Sequence, residues 1–129
     1  MKTLLWVDDY RNPFENDWLN FSPIGRNCNV VWVKSYQEAI NYLDKNWPNA
    51  ICLDHDLGDN KSGYDIAKYI IDKCLTYGYK LPIYASQSAN PIGRDNILKL
   101  FKNYEQYYES SNISHVSEDE EIRSKASAR

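Results

Sequence analysis

The sequence is poor in the residues that build covalent frameworks. It has three cysteines, and none of them lies in a C-x-x-C pair. An odd number of scattered cysteines is not the pattern of a disulfide scaffold or of a thiol redox motif. We expect Cys28, Cys52 and Cys74 to be free thiols in a reducing cytosol, with Cys52 in a buried strand and Cys74 on the apolar face of a helix.

The chain also lacks a long apolar run and a surplus of positive charge. No stretch approaches the length of a membrane span, and the start MKTLLWVDDY lacks the apolar core of a signal peptide. The formal net charge is −3, which argues against broad nonspecific binding to nucleic acid. We therefore expect a cytoplasmic protein with no membrane partner and no extended surface for a nucleic-acid duplex.

What the chain does contain is enough for one folded domain. Of its 129 residues, 43% are hydrophobic and 14% are aromatic. The helical apolar period ends near Ser110, and the rest is polar and mixed in charge. We therefore predict a domain over residues 1–110 and a flexible tail over residues 111–129, in which residues 113–116 carry a weak strand pattern.

Short apolar runs alternate with stretches of helical period. The predicted strands are Lys2–Asp9, Val30–Lys34, Ala50–Leu53 and Lys80–Ser86, and helices are predicted to start at Ser35, Ser62 and Asn90. This alternation predicts right-handed βαβ units and a parallel sheet. The expected fold is an α/β three-layer sandwich with about four strands in the order 2-1-3-4.

Acidic residues follow two neighbouring strands of this sheet. Asp8 and Asp9 close the first strand and Asp54 closes the third, so their side chains should meet at one edge. Their mutual repulsion would be relieved by a hard divalent cation, and oxygen-only ligands favour Mg²⁺ or Mn²⁺ as the cofactor. The alternative is that one acid caps a loop or a helix and only two of them meet.

His55 and Asp56 come directly after Asp54. On a straight strand Asp56 would share the side of Asp54 and His55 would face away. His55 is therefore either a general acid–base group that the turning chain brings into the site, or a residue packed beneath it. Asp56 is a second candidate for orienting water or the leaving group.

The segment Gln87–Gly93 joins the fourth strand to the last helix. Its backbone N–H groups and the side chains of Ser88 and Asn90 could hold a phosphate at the same edge of the sheet. Arg11, beside the acidic pair, and Arg94, in the first turn of the helix, are candidate phosphate clamps. Ordinary helix capping and solvated arginines explain the same residues without a ligand.

The stretch Tyr10–Asn29 has no helical period and is long for a connection. It starts directly after the acidic pair and contains Phe14, Trp18 and Phe21. We expect it to fold over the acidic edge and to help stack a base.

This arrangement of side chains resembles that of response-regulator receiver domains, which implies a receiver-like (flavodoxin-like) fold. In that pattern Asp8 and Asp9 hold Mg²⁺, Asp54 is the phosphoacceptor, and Ser86 or Ser88 contacts the phosphoryl group. Three departures separate the chain from an ordinary receiver. A proline-containing loop replaces the first helix, no fifth strand with its lysine is found, and LDHDLG and SANPIG are not receiver sequence.

These last motifs resemble the family of cyclic-phosphate-processing receiver-like domains. The matching segments are LWVDD, CLDHDLG, SGYDIAKYI and SANPIGRDN, spread from Leu4 to Tyr108. The resemblance implies metal-assisted hydrolysis of a cyclic phosphate on a nucleotide or an ADP-ribose derivative. It also implies a setting in bacteriophages, in counter-defence or RNA-end repair. Where the family has a histidine before Ser-x-Asn-Pro, this chain has Gln87.

The leading hypothesis is a metal-dependent phosphoesterase for a small cyclic phosphate or nucleotide. Asp8, Asp9 and Asp54 would hold the metal, Ser88 and Asn90 the phosphate, and His55, Asp56 or Gln87 would orient water or the leaving group. The alternatives are a nucleotide-binding sponge without turnover and a phosphorylated signalling receiver, which the missing lysine disfavours. The sequence leaves a homodimer open.

Overall fold

The computed structural model of the protein describes residues 1–119, with side chains described through Ser110. Its elements are β1 (Thr3–Val7), a 3₁₀ turn (Trp18–Phe21), β2 (Asn29–Val33), α1 (Tyr36–Lys45), β3 (Ala50–Leu53), α2 (Gly63–Tyr77), β4 (Ile83–Ala85) and α3 (Pro91–Asp119). None of the described helices combines the length and apolar character that crossing a membrane requires.

The four strands form one parallel sheet in the order β2-β1-β3-β4, which confirms the predicted topology. Val7 of β1 is level with Val33 of β2 and Leu53 of β3. The residues that follow Val7 and Leu53 are therefore neighbours, and the Asp54 N–H donates to the Val7 carbonyl at 2.9 Å. β1 and β4 are shorter than predicted. At their carboxyl ends pairing stops where the polar residues begin, and β4 starts only after Pro82, which has no N–H to donate to a neighbouring strand.

Alternate residues of the central strands face two different apolar layers. On one face, Leu5 and Ile51 pack with residues of all three helices. On the other face, Leu4, Trp6 and Cys52 pack against the buried Leu19 of the segment that precedes β2. The helices thus cover one face of the sheet, and an irregular segment supplies the remaining layer of the predicted sandwich.

Side-chain caps start the first two helices at the predicted positions. The Ser35 hydroxyl accepts the Glu38 N–H at 3.1 Å, while the Glu38 carboxylate accepts the Lys34 N–H rather than that of Ser35. Ser62 and Asp65 form a complete capping box. These caps satisfy N–H groups that have no partner within the helix.

The last helix runs further than the sequence analysis predicted. It continues to Asp119, so the strand pattern assigned to residues 113–116 is wrong. No proline or glycine lies between Gly93 and Asp119, and therefore nothing breaks the helix where its contacts with the sheet end. Residues 120–129 of the predicted tail lie outside the described residues, and the domain boundary near residue 110 stays a prediction.

Candidate metal and phosphate site

Three carboxylates meet at the carboxyl end of the sheet. Asp8 and Asp9 follow β1, Asp54 follows β3, and one oxygen of each lies within 4.8 Å of the others. Asp8 is fully buried and Asp54 is 5% exposed, whereas Asp9 is exposed. The structure therefore brings together all three of the predicted acids, and Asp9 leaves the cluster open to solvent on one side.

Asp8 accepts hydrogen bonds at both of its carboxylate oxygens. Oδ1 accepts the backbone N–H groups of Tyr10 and Arg11, at 3.0 and 2.8 Å. Oδ2 accepts the Gln87 amide at 3.2 Å and lies 3.5 Å from the Arg11 guanidinium. The Trp32 indole N–H donates to the Asp8 carbonyl at 2.8 Å. These donors fix the orientation of the buried carboxylate.

The environment of Asp54 disfavours the charged form of its carboxyl group. Burial, followed by the neighbouring Asp8 carboxylate, raises the pKa of Asp54 to about 6. A hydrogen bond from the Ser88 side chain and the Arg11 guanidinium, 3.7 Å from Oδ2, act in the opposite direction. One guanidinium therefore lies between the two buried acids of a three-carboxylate cluster.

Gln87 lies beside this cluster and is 3% exposed. Its Nε2 donates to the Val7 carbonyl at 3.0 Å and to Asp8 Oδ2 at 3.2 Å. Because both partners are acceptors, turning the amide over would place its oxygen against them. Oε1 is left buried without a partner, which costs about 1–3 kcal/mol. The surplus of negative charge and this orphaned oxygen both fit a site that a hydrated divalent cation completes.

His55 and Asp56 turn away from the strand towards the start of α3. His55 Nδ1 lies 2.9 Å from Asp56 Oδ1, and this contact is the main reason that the pKa of Asp56 is lowered. The imidazole packs on Gly93, where a Cβ would lie 2.4 Å from the ring. Since Asp56 engages Nδ1, the Nε2 atom is the one left to exchange a proton.

The predicted phosphate-binding residues lie at the same edge and bond to one another. Asn90 Oδ1 accepts the Gly93 N–H at 3.0 Å, and its Nδ2 lies 3.4 Å from Asp56 Oδ2. Ser88 Oγ accepts the Asn90 N–H at 3.1 Å, and Arg94 donates to the Ser88 carbonyl at 3.4 Å. Helix capping accounts for these contacts of Asn90, and a role in phosphate binding stays a prediction.

The two hydroxyl groups after β4 have different positions. Ser86 is buried and donates to the Leu53 carbonyl at 2.7 Å, which ties the end of β4 to β3. The Ser88 side chain instead lies close enough to Asp54 to lower the pKa of that carboxyl group. Ser88 is therefore the hydroxyl that can contact a group bound at the acids.

Sequence reasoning missed two close approaches that shape the site. The Trp6 indole N–H donates to the Arg11 carbonyl at 2.9 Å, which ties the segment after β1 to the sheet. Gly63 packs against the chain after β3, where a Cβ would lie 2.0 Å from the Asp54 carbonyl oxygen. The S-G-Y-D motif predicts the helix start. No local pattern predicts that Gly63 must lack a side chain because the backbone of Asp54 packs against it.

The sequence pattern of the chain is that of one described family. A profile of the cyclic-phosphate processing receiver domain matches residues 3–103. The chain belongs to this family. No curated protein matches it. Receiver-like domains bind Mg²⁺ through acidic residues, and the cluster of Asp8, Asp9 and Asp54 could hold such an ion.

Two solved structures are similar to this chain in fold, and one of them is a response regulator. The phosphorylated cyanobacterial phytochrome response regulator RcpA matches with a TM-score of 0.54 at 23% identity, over 77% of this chain and 74% of that one. A fusion that contains the yeast Spc42 trimeric coiled coil matches with a TM-score of 0.53 at 19% identity, over 99% of this chain and 90% of that one. At these identities the likeness concerns the fold alone.

Proposed function

We propose that the protein is a divalent-metal-dependent phosphoesterase that acts on a small cyclic phosphate or nucleotide. The observation that carries the proposal is the convergence of three carboxylates, two of them buried, around one arginine at the carboxyl end of the sheet. Membership in a family described as cyclic-phosphate processing supports the substrate class. The candidate substrates are a cyclic nucleotide, an RNA 2′,3′-cyclic phosphate and an ADP-ribose cyclic phosphate.

In this proposal Asp8, Asp9 and Asp54 hold Mg²⁺ or Mn²⁺. When bound, the ion supplies Lewis-acid polarisation of the phosphoryl group and activation of water. The chain contributes a prearranged set of oxygens, because the backbone and Gln87 already orient Asp8. Asp54, whose pKa is about 6, is charged at neutral pH and available as a ligand.

The phosphate would lie between the acids and the start of α3. Ser88, whose side chain lies near Asp54, can donate to a phosphate oxygen from one side. Arg11 can supply a guanidinium from the other side, since it already lies against both buried acids. The capping residue Asn90 would have to exchange its contact with Gly93 or with Asp56 to join them.

Proton transfer falls to His55 in this site. The Gln87 amide has no proton to deliver near neutral pH, and its N–H groups are committed to Val7 and Asp8. The Asp56 carboxylate engages His55 Nδ1, which leaves Nε2 to protonate the leaving oxygen. Asp56 acts by holding the imidazole in one orientation.

The test combines turnover with metal binding. The purified chain is incubated with the three classes of cyclic phosphate in Mn²⁺ or in EDTA, and the products are separated by chromatography. We expect Mn²⁺-dependent ring opening and a rise in melting temperature with Mn²⁺. Asp54→Asn should remove both, whereas Asp72→Asn, which neutralises an exposed acid of α2, should keep both. Turnover that persists in EDTA contradicts the proposal.

The same experiment separates the other hypotheses. Retention of a cyclic phosphate without any product identifies a nucleotide-binding sponge. A stable acyl phosphate on Asp54 after incubation with a small phosphodonor identifies a signalling receiver.

A further inference from the structure

Arg11 links the acidic cluster to a separate cavity. Its backbone is tied at two points, since the N–H donates to Asp8 Oδ1 at 2.8 Å and the carbonyl accepts the Trp6 indole N–H at 2.9 Å. Its guanidinium lies 3.5 Å from Asp8 Oδ2 and 3.7 Å from Asp54 Oδ2. The guanidinium can therefore move away from the acids while the backbone of Arg11 stays in place.

The two ion pairs of Arg11 are long, so the guanidinium can leave the carboxylates at little cost. Strong guanidinium–carboxylate pairs are about 2.7–2.9 Å long and often use two parallel hydrogen bonds. Here a single nitrogen, Nη1, is shared between two acids at longer distances. A divalent cation at the same carboxylates would attract them more strongly and would repel the guanidinium.

On its other side Arg11 covers an aromatic ring. The guanidinium carbon lies 4.9 Å from the centre of the Trp18 ring. The pair borders a cavity of about 450 Å³, which is lined by Tyr10, Arg11, Asn12, Glu15, Asn16 and Trp18. Tyr10 is 86% exposed, so its ring is free to contact a ligand. The two aromatic rings and Arg11 suit a flat aromatic group that carries a phosphate, while the Glu15 carboxylate and the amide groups suit N–H groups on the edge of the ring rather than the phosphate itself.

We propose that this cavity binds the aromatic portion of a phosphate ester such as a nucleotide, and that a divalent cation at the acidic cluster opens it by releasing Arg11. The inference rests on the proposed function. The released guanidinium turns from the carboxylates to the phosphate, and the face of Trp18 that it covered becomes available for stacking. Cation and nucleotide then bind with positive coupling, and each raises the affinity for the other by the same factor.

Calorimetric titration of the full chain with Mn²⁺, with and without adenosine monophosphate, measures the coupling. We expect each ligand to tighten binding of the other by about tenfold, equally in both directions. Adenosine offers only the aromatic group, and inorganic phosphate offers only the group that Arg11 would bind. Each of them therefore tests one half of the proposed interaction. Inorganic phosphate that couples as strongly as the nucleotide would overturn the role of the cavity.

Three variants separate the parts of the proposal. Arg11→Gln should bind Mn²⁺ more tightly than the parent in the absence of nucleotide, because the competing cation is gone, and should lose the coupling. Arg26→Gln removes another arginine of the same segment, one that is more than half exposed and pairs with Asp17, and should behave like the parent. Trp18→Leu should keep the Mn²⁺ affinity and lose most of the nucleotide affinity.

The outcomes distinguish this inference from the proposed function. Independent binding of Mn²⁺ and the nucleotide, or an Arg11→Gln variant that binds Mn²⁺ no more tightly than the parent, overturns the coupling and leaves the phosphoesterase proposal intact. Coupled binding without turnover of any cyclic phosphate supports the coupling and contradicts the phosphoesterase. Absence of Mn²⁺ binding in both parent and variant overturns both.

Discussion

Asp54 carries an electrostatic cost in the protein without a cation. It is 5% exposed beside the fully buried Asp8, and its pKa is raised to about 6. A carboxyl group with a raised pKa binds more protons in the folded than in the unfolded chain. Its contribution to stability is therefore fully present below the pKa of the unfolded chain and is lost as the pH rises through about 4 to 6.

The first prediction follows from the raised pKa of Asp54. Asp54→Asn should stabilise the metal-free protein at pH 7.5 by about 1 kcal/mol, a figure discounted for the solvent that reaches the site. Near pH 4 the gain should vanish, because Asp54 is then protonated in the parent as well. Urea denaturation in EDTA at the two pH values measures the difference, with Asp72→Asn as the control. A variant that is less stable than the parent at pH 7.5 contradicts the assignment.

The second prediction concerns Gln87, which supplies hydrogen bonds at the position where the sequence resemblance implies a histidine. Gln87→His keeps one donor for Val7 or Asp8 and adds a group that titrates near neutral pH. We expect faster single turnover of the tightest-binding cyclic phosphate, with little change in its affinity, and a new dependence on pH between about 5 and 9. If parent and variant share one flat profile, position 87 has no acid–base role.

Among the elements, the segment between β1 and β2 has a structural function that its sequence does not display. It has one 3₁₀ turn, yet it packs on the face of the sheet opposite the helices through the buried Leu19 and the half-buried Trp18 and Ile24. In addition, Cys52 Sγ contacts the Phe21 carbonyl at 3.6 Å. Its first residues also reach the acids, through Arg11. We expected the segment to fold over the acidic edge and to help stack a base. The structure shows a packed layer whose beginning borders the acids, and the stacking stays a prediction.

The third prediction tests this packed layer. Leu19 is 7% exposed and Phe14 is 67% exposed. Leu19→Ala should therefore destabilise the protein by about 2–4 kcal/mol, whereas Phe14→Ala should change the stability by less than about 0.5 kcal/mol. Chemical denaturation of both variants measures the contrast. Similar losses for the two would mean that the segment is not a layer of the core.

For the molecule as a whole, the sheet packs against all three helices, and α3 adds its fully buried residues to this core only through its first turns. α3 has 29 residues, but its fully buried side chains, Ile97 and Phe101, lie within its first three turns. At about 1.5 Å per residue, the helix extends well past the sheet that it packs on. Among the side chains that the structure describes, the fully buried ones of α3 thus lie well before residue 110.

The fourth prediction is that truncation after Ser110 preserves the domain. The melting temperature should change by less than about 3 °C, since no described core residue is removed. The response of the melting temperature to Mn²⁺ should also persist, because the acids lie at the other end of α3. Calorimetric melting of both chains checks this. A loss of more than about 8 °C would place part of the core in residues 111–129.

Local patterns in the sequence were sufficient for the sheet order, the starts of all three helices and the meeting of Asp8, Asp9 and Asp54. Strand and helix periodicity and capping residues act within a few positions, and parallel strands necessarily bring their carboxyl ends to one edge. The end of α3 escaped this reasoning, because a polar stretch without proline or glycine is compatible with both a helix and a disordered tail.

The partners within the site were decided only by tertiary structure. Arg11 contacts two acids and Trp18, Gln87 contacts Asp8, and His55 packs on the backbone of Gly93. Most of these contacts join residues that are distant along the chain. Each depends on how the layers pack and on which donors remain unpaired once the backbone is satisfied. Those quantities belong to the folded molecule, and no local pattern of residues encodes them.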